Sequence, residues 1–198
     1  MRKEKYLIQF RNLISQLMTL SENDWNILIK DIEYKEYKKG TILTNFHEVE
    51  DNLFILFSGY IRLFHSANGT EYTISYHSPI SVVNNTESFI TREPSKLCIT
   101  ATTDIHVFKL SHYNIYKSYN NNHISERMGR KLIEIGLINR IRREVQIQSK
   151  PAKEKYLSLL KEHPNLIKNI SQKEIAAYIS ITPESLSRIK KQIGKNNN

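Results

Sequence analysis

The chain has 198 residues, 39% of them hydrophobic, and 29 Lys+Arg against 20 Asp+Glu give a formal net charge of +9. That length gives room for one large or two small domains of ordinary core composition, and the longest apolar run, Leu53 to Phe57, is far short of a membrane span. Cys98 is the only cysteine, which excludes an internal disulfide, a four-thiolate iron–sulfur cluster and a structural multi-thiolate zinc site.

Met1-Arg2-Lys3 is basic, but no apolar run of signal-peptide length follows, so a cytoplasmic protein without membrane attachment is expected. Leu7, Phe10, Leu13, Ile14 and Leu17 recur at helical spacing. Ser21-Glu22-Asn23-Asp24 then caps a second helix carrying Trp25, Leu28, Ile29 and Ile32, so residues 1–34 are expected to be helical. The texture changes from Tyr37. Short runs rich in Ile, Val, Phe, Tyr and Thr follow: Thr41–Thr44, Asn52–Phe57, Tyr60–His65, Glu71–His77, Leu97–Ala101 and His106–Leu110. Ser58-Gly59 and Ala67-Asn68-Gly69 carry hairpin turn signals. About eight short strands at this spacing predict an antiparallel sandwich or small barrel. Cys98, inside one of these runs, is expected to be a buried inert thiol.

From Ile124 to about Ser149 the spacing predicts one long helix, with Met128, Leu132, Ile135, Ile138, Ile141 and Val145 at three- and four-residue steps and Pro151 ending it. Burying so long a stripe against a second copy of itself gives a homodimer; packing on its own β-domain is the alternative. Ala152 to His163 forms another helix, stopped at His163-Pro164-Asn165, and Leu166 to Ile170 can supply a strand.

A helix pair follows. Ser171 caps the first helix with Glu174 three residues on, Ile175, Ala176 and Ile179 form its apolar stripe, and Ser180-Ile181 is a short connection. Thr182-Pro183 starts the second helix, a capping hydroxyl followed by proline where its missing N–H costs nothing. Leu186, Ile189 and Ile193 point inward, leaving Pro183, Glu184, Ser187, Arg188 and Lys191 outside. Two helices joined this tightly place the second where it can enter a major groove. Charge agrees: residues 1–123 hold 13 basic and 13 acidic side chains, whereas residues 124–198 hold 16 basic against 7 acidic, so the whole surplus accompanies the helix pair. Double-stranded DNA is the expected partner. Its contacts are expected from Ser171, Gln172, Thr182, Pro183, Glu184, Ser185, Ser187, Arg188, Lys190 and Lys191.

In this order the chain resembles a bacterial transcription regulator of the Crp/Fnr type over nearly its whole length. Lys39-Gly40-Thr41-Ile42-Leu43 and Asn52 to Leu63 are similar to that family's opening strands, and Gln172 to Lys191 to its DNA-binding pair, with Thr182 to Arg188 in the recognition-helix slot. The resemblance implies an α+β fold: N-terminal helices with an antiparallel β-roll of the jelly-roll type (1–112), a long dimerisation helix (113–150) and a helix-turn-helix domain (151–198). It implies dimerisation through Met128, Leu132, Ile135, Ile138 and Val145, with RNA polymerase as a further partner. Relatives that bind cyclic nucleotides carry a Gly-Glu pair and later an Arg followed by a small hydroxyl residue. Asn84-Asn85 and Pro94-Ser95-Lys96 stand there instead, and Lys is a poor replacement for a bidentate Arg. The expected pocket residues are therefore Asn84, Asn85, Arg92 and Lys96, with cyclic-nucleotide binding lost.

The single cysteine leaves no iron–sulfur cluster expected, and haem is not expected because none of the seven histidines sits in a ligand-spacing motif. After Gly194 only Lys195-Asn196-Asn197-Asn198 remain, so the wing that flanks the recognition helix in many relatives is expected to be reduced. There are no paired carboxylates with a base, no Gly-rich phosphate loop and no serine nucleophile motif, so an enzyme is not expected. A small-molecule sensor working through the β-roll, and a protein-interaction module, are the alternative readings.

Overall fold

The computed structural model describes residues 2–195. Two helices open the chain, α1 (Arg2–Leu17) and α2 (Glu22–Ile29). Ser21 and Asp24 make the expected capping box at the start of α2. Eight strands follow: β1 (Glu33–Tyr37), β2 (Ile42–Thr44), β3 (Asn52–Ser58), β4 (Ile61–Ala67), β5 (Thr70–His77), β6 (Ser81–Val83), β7 (Cys98–Ala101) and β8 (Ile105–Ser111), with the short helix α3 (Thr86–Thr91) between β6 and β7. They build two four-stranded antiparallel sheets, ordered β1-β8-β3-β6 and β2-β7-β4-β5.

Side chains alternate across a strand, and β3 uses both faces. Phe54 and Leu56 meet Ile61, Leu63, Val83, Ile99, Ala101, Ile105 and Val107 between the sheets. Ile55 and Phe57 face the other way, onto Tyr6, Phe10, Ile14, Trp25 and Phe108 beneath the N-terminal helices. A strand covered on both sides reads as an unbroken apolar run, which is why β3 is the most hydrophobic stretch of the chain. Cys98 is buried, and burial pushes its thiol pKa up.

Two turn signals divide. Asn68 and Gly69 (φ 52° and 74°) close the β4–β5 hairpin with Ala67 opposite Thr70, as their type I′ preference requires. Ser58-Gly59 is not a hairpin, because β3 and β4 lie in different sheets. Gly59 (φ 84°) carries the chain between them so closely that a Cβ there would come within 2.2 Å of the Asp104 carbonyl oxygen. The expected helical stretch to residue 34 ends earlier, at Ile29, because β1 pairs with β8 from Glu33.

The expected helix over 113–150 is two. α4 (His112–Asn121) and α5 (His123–Ser149) are separated at Asn122, whose extended backbone interrupts the helix and whose side-chain oxygen accepts the Ile124 (2.8 Å) and Ser125 (3.3 Å) N–H groups. The rest of the chain is α6 (Ala152–Glu162), α7 (Pro164–Asn169), α8 (Gln172–Tyr178) and α9 (Pro183–Lys195). The strand expected at Leu166 to Ile170 is absent from the described residues: Pro164 in the first turn starts α7, and Leu166 and Ile170 enter the helical core. Asn196 to Asn198, on which the expected reduction of the wing rests, lie outside the described residues.

Candidate nucleic-acid interface and effector pocket

The helix pair forms as its caps require. The Ser171 hydroxyl accepts the Glu174 N–H (3.2 Å) while Glu174 Oε2 accepts the Ser171 N–H (2.8 Å), completing a capping box on α8. Ser180 takes a left-handed conformation (φ 56°) in the connection, and the Ile181 N–H returns to the Ala176 carbonyl at 3.0 Å. Thr182 Oγ1 accepts the Ser185 N–H at 3.2 Å to cap α9. Ile175, Ala176, Ile179, Leu186 and Ile189 are buried together with Tyr156, Leu159 and Leu166 of α6 and α7. Ala176 is fully covered, so its small side chain lets the two helices cross closely.

Five positions expected to face outward on α9 do so: Pro183, Glu184, Ser187, Arg188 and Lys191 are all exposed. Ser171, Gln172 and Thr182 are exposed at the two helix starts, while Lys190 is half-buried. Ser185 is engaged in capping: its hydroxyl lies 3.1 Å from Thr182 Oγ1. Arg188 Nη2 reaches Ser185 Oγ at 3.5 Å. The Glu184 carboxyl is held below its usual range by its own backbone N–H and the Thr182 hydroxyl, with the charge of Arg188 a weaker influence.

The pocket residues are put to structural use. Asn85 is buried; its amide side chain donates to Ser95 Oγ at 2.6 Å and its N–H to Glu50 Oε2 at 3.2 Å. Arg92 ends α3 in a left-handed conformation (φ 63°). Its guanidinium donates to the Glu50 carbonyl (2.7 Å), the Phe89 carbonyl (3.3 Å) and the Asp51 carboxylate. Asn84 accepts from the Thr86 hydroxyl at 3.0 Å. Lys96 is exposed and pairs with Glu87 at 3.4 Å. The residue at the centre of this network, Glu50, is wholly buried, and its carboxylate accepts from the Thr44 hydroxyl (2.8 Å), the Asn52 N–H (3.0 Å) and the Asn85 N–H. It lies in an ordinary polar loop sequence, and nothing in the spacing around it announces burial.

The expected dimerisation residues do not lie on one face. Met128 packs onto the cluster under α1 and α2, and Leu132 lines a cavity of about 60 Å3 beside Phe10, Leu28 and Tyr119. Ile135 is half-buried, while Ile138 and Val145, with Ile133, Leu137 and Ile141, are exposed.

Residues 34–122 match the cyclic nucleotide-binding domain family. No curated protein sequence matches the chain. Among solved structures the chain is similar to a transcriptional regulator of the Crp/Fnr family from Eubacterium rectale (TM-score 0.70, 16% identity, covering 89% of this chain and 85% of that one). It is similar to FixK2 from Bradyrhizobium japonicum (TM-score 0.68, 16% identity, 84% and 86% covered) and to the c-di-GMP-responsive global regulator CLP of Xanthomonas campestris (TM-score 0.67, 12% identity, 89% and 93% covered). A β-roll, a long helix and a C-terminal helix pair in this order are thus the fold of the Crp/Fnr-type regulators, over nearly the full length of each chain. No helix among the described residues is long and apolar enough to cross a membrane.

Proposed function

We propose that the protein is a cytoplasmic, homodimeric transcription regulator that binds double-stranded DNA by sequence, and is not an enzyme. The observation that carries this is α9. Leu186 and Ile189 are sunk in the core of the helix pair, and the opposite face offers Glu184, Ser187, Arg188 and Lys191 to solvent, in the segment that holds the whole surplus of positive charge. A recognition helix needs this combination: a fixed inner face, and hydrogen-bonding groups free to meet base edges and phosphates. The unpartnered apolar face of α5 supports dimerisation, which sets two recognition helices about one turn of duplex apart. The β-roll acts as an altered effector domain that takes no cyclic nucleotide, haem or iron–sulfur cluster, and RNA polymerase is the eventual partner of the DNA-bound dimer.

Arg188 presents a guanidinium suited to guanine O6/N7, and Glu184 a carboxylate suited to a cytosine amino group. DNA selected from a random pool and measured by gel shift tests the reading. Arg188→Ala is expected to lose about 1–3 kcal/mol on the selected site and to relax preference at one base position, whereas Lys191→Ala weakens all sequences alike and flattens the salt dependence. Failure to retain any duplex DNA, or equal loss on selected and random DNA for Arg188→Ala, would contradict it.

A further inference from the structure

The helix pair is not joined to the rest of the molecule through α6 alone; it sits on the β-roll. β5 is the edge strand of its sheet. Tyr72 and Ile74 of this strand are exposed, but past the bulge that shifts the β4–β5 register, Tyr76, opposite Arg62, is buried in the same apolar cluster as Ile175, Tyr178 and Ile179. The Tyr76 ring meets Tyr178 edge-on, with centroids 5.1 Å apart and planes at 80°. Its hydroxyl donates to Glu174 Oε1 at 3.0 Å, so the carboxylate that caps α8 with one oxygen is held to β5 by the other. Burial works to raise the Glu174 pKa, but the hydrogen bonds from Ser171 and Tyr76 prevail and keep it ionised.

The third side of the seat comes from α5. The Arg143 guanidinium lies 3.9 Å from the centre of the Tyr178 ring, and its Nη2 donates to the Tyr178 carbonyl (3.1 Å) and to the Ile74 carbonyl (3.4 Å). One side chain therefore bridges the dimer helix, the edge strand and the last turn of α8. Interfaces between units of one chain are by default polar and mobile. This one has a buried aromatic pair, a cation over a ring face and charge-assisted hydrogen bonds converging on α8.

We propose that Tyr76 and Arg143 are positioning residues for DNA recognition: they fix the direction of α9 relative to α5, and so the separation of the two recognition helices in the dimer. β5, rather than the cyclic-nucleotide cassette around α3, is then the element through which the β-roll governs DNA binding. The proposal rests on the DNA-binding reading for its consequence, but the seat itself can be tested without DNA.

The experiment compares the wild type with Tyr76→Ala, Arg143→Ala and Tyr76→Phe. Backbone 15N relaxation of amides in α9 and in β3 reports whether the two units tumble together. The wild type is expected to show one correlation time for both. In either alanine variant α9 is expected to relax as a faster-tumbling unit while β3 is unchanged, and Tyr76→Phe, which keeps the ring, restores most of the wild-type behaviour. Affinity for a duplex with two selected half-sites should fall about tenfold in the alanine variants, and that for a single half-site by no more than about twofold, because only the paired site demands a fixed geometry. Uniform relaxation in both alanine variants, or independent tumbling in the wild type, would overturn the proposal. Arg143→Ala removes no buried apolar side chain, so it decides the matter if Tyr76→Ala fails to fold. A wild type that binds no DNA would refute the DNA reading and leave relaxation to decide the seat.

Discussion

Glu50 is the only charged residue among the buried polar side chains described, and neutral donors meet its carboxylate: one hydroxyl and two backbone N–H groups. Burial raises its pKa, and those hydrogen bonds offset the rise only in part. Removing the carboxylate strands the three donors that tie β2, the start of β3 and the start of α3 together. Glu50→Ala is therefore expected to cost about 3 kcal/mol in urea unfolding at neutral pH, the penalty of unsatisfied buried donors outweighing the relief of burying a charge. Glu50→Gln keeps one acceptor oxygen and costs less. The sign of the pH effect follows from the raised pKa. Between the ordinary carboxylate value and the folded one, the native state holds more protons than the unfolded state, so this group's contribution falls as pH rises through the folded pKa. Wild-type stability should accordingly gain on that of Glu50→Gln as pH is lowered from neutral toward the ordinary carboxylate range. A gap between the two that stays constant with pH would show that Glu50 has no such linkage.

At the scale of elements, α5 shows why spacing alone misplaces a surface. Met128, Leu132, Ile135, Ile138, Ile141 and Val145 all follow helical steps, yet three consecutive three-residue steps from Leu132 each lag by about 60° on a 3.6-residue helix and turn the stripe roughly 180° by Ile141. Its first part is on the core side and its second part faces solvent, beside Ile133 and Leu137. The helix is thus legible from periodicity, but the division of its faces depends on where α1, α2 and α4 lie. β1 was illegible for a related reason: Glu33-Tyr34-Lys35-Glu36-Tyr37 is mostly polar and becomes a strand only by pairing with β8. The caps at Ser21, Ser171 and Thr182 are local hydrogen-bond chemistry and could be read directly. The two faces of α5 should respond differently to charge. Leu137→Asp is expected to yield folded monomers by light scattering with an unchanged circular dichroism spectrum, since it buries a carboxylate only in the dimer. Met128→Asp is expected to lower the unfolding midpoint before it affects association. A Leu137→Asp protein that keeps a dimer's mass would place the interface elsewhere.

Over the whole molecule, two kinds of information differ in how far they can be read from sequence. The partition of charge between residues 1–123 and 124–198 needs only counting, and the helix pair that receives the surplus needs only caps and spacing. The seat of that pair on β5 joins Tyr76 to Glu174 across 98 positions, and no local pattern announces such a contact. The pocket is intermediate: the missing Gly-Glu and Arg segments were visible, but the network that replaces them was not. Asn85 is engaged with Ser95 and Glu50, and Arg92 with the Glu50 carbonyl and Asp51, while Lys96 pairs with Glu87 at the surface. A ligand that binds the native state alone stabilises it by mass action, by about 2.7 kcal/mol when present at a hundred times its dissociation constant. On the proposed reading of an altered effector domain, cyclic AMP or cyclic GMP at about 1 mM is expected to leave both the unfolding midpoint and the affinity for a selected DNA site unchanged, since a Lys is a poor substitute for a bidentate Arg on a cyclic phosphate. A rise of several degrees with either nucleotide, lost in Arg92→Ala, would show that the Arg92 guanidinium can leave Glu50 and Asp51 for a phosphate, and that the cassette still works as a nucleotide site.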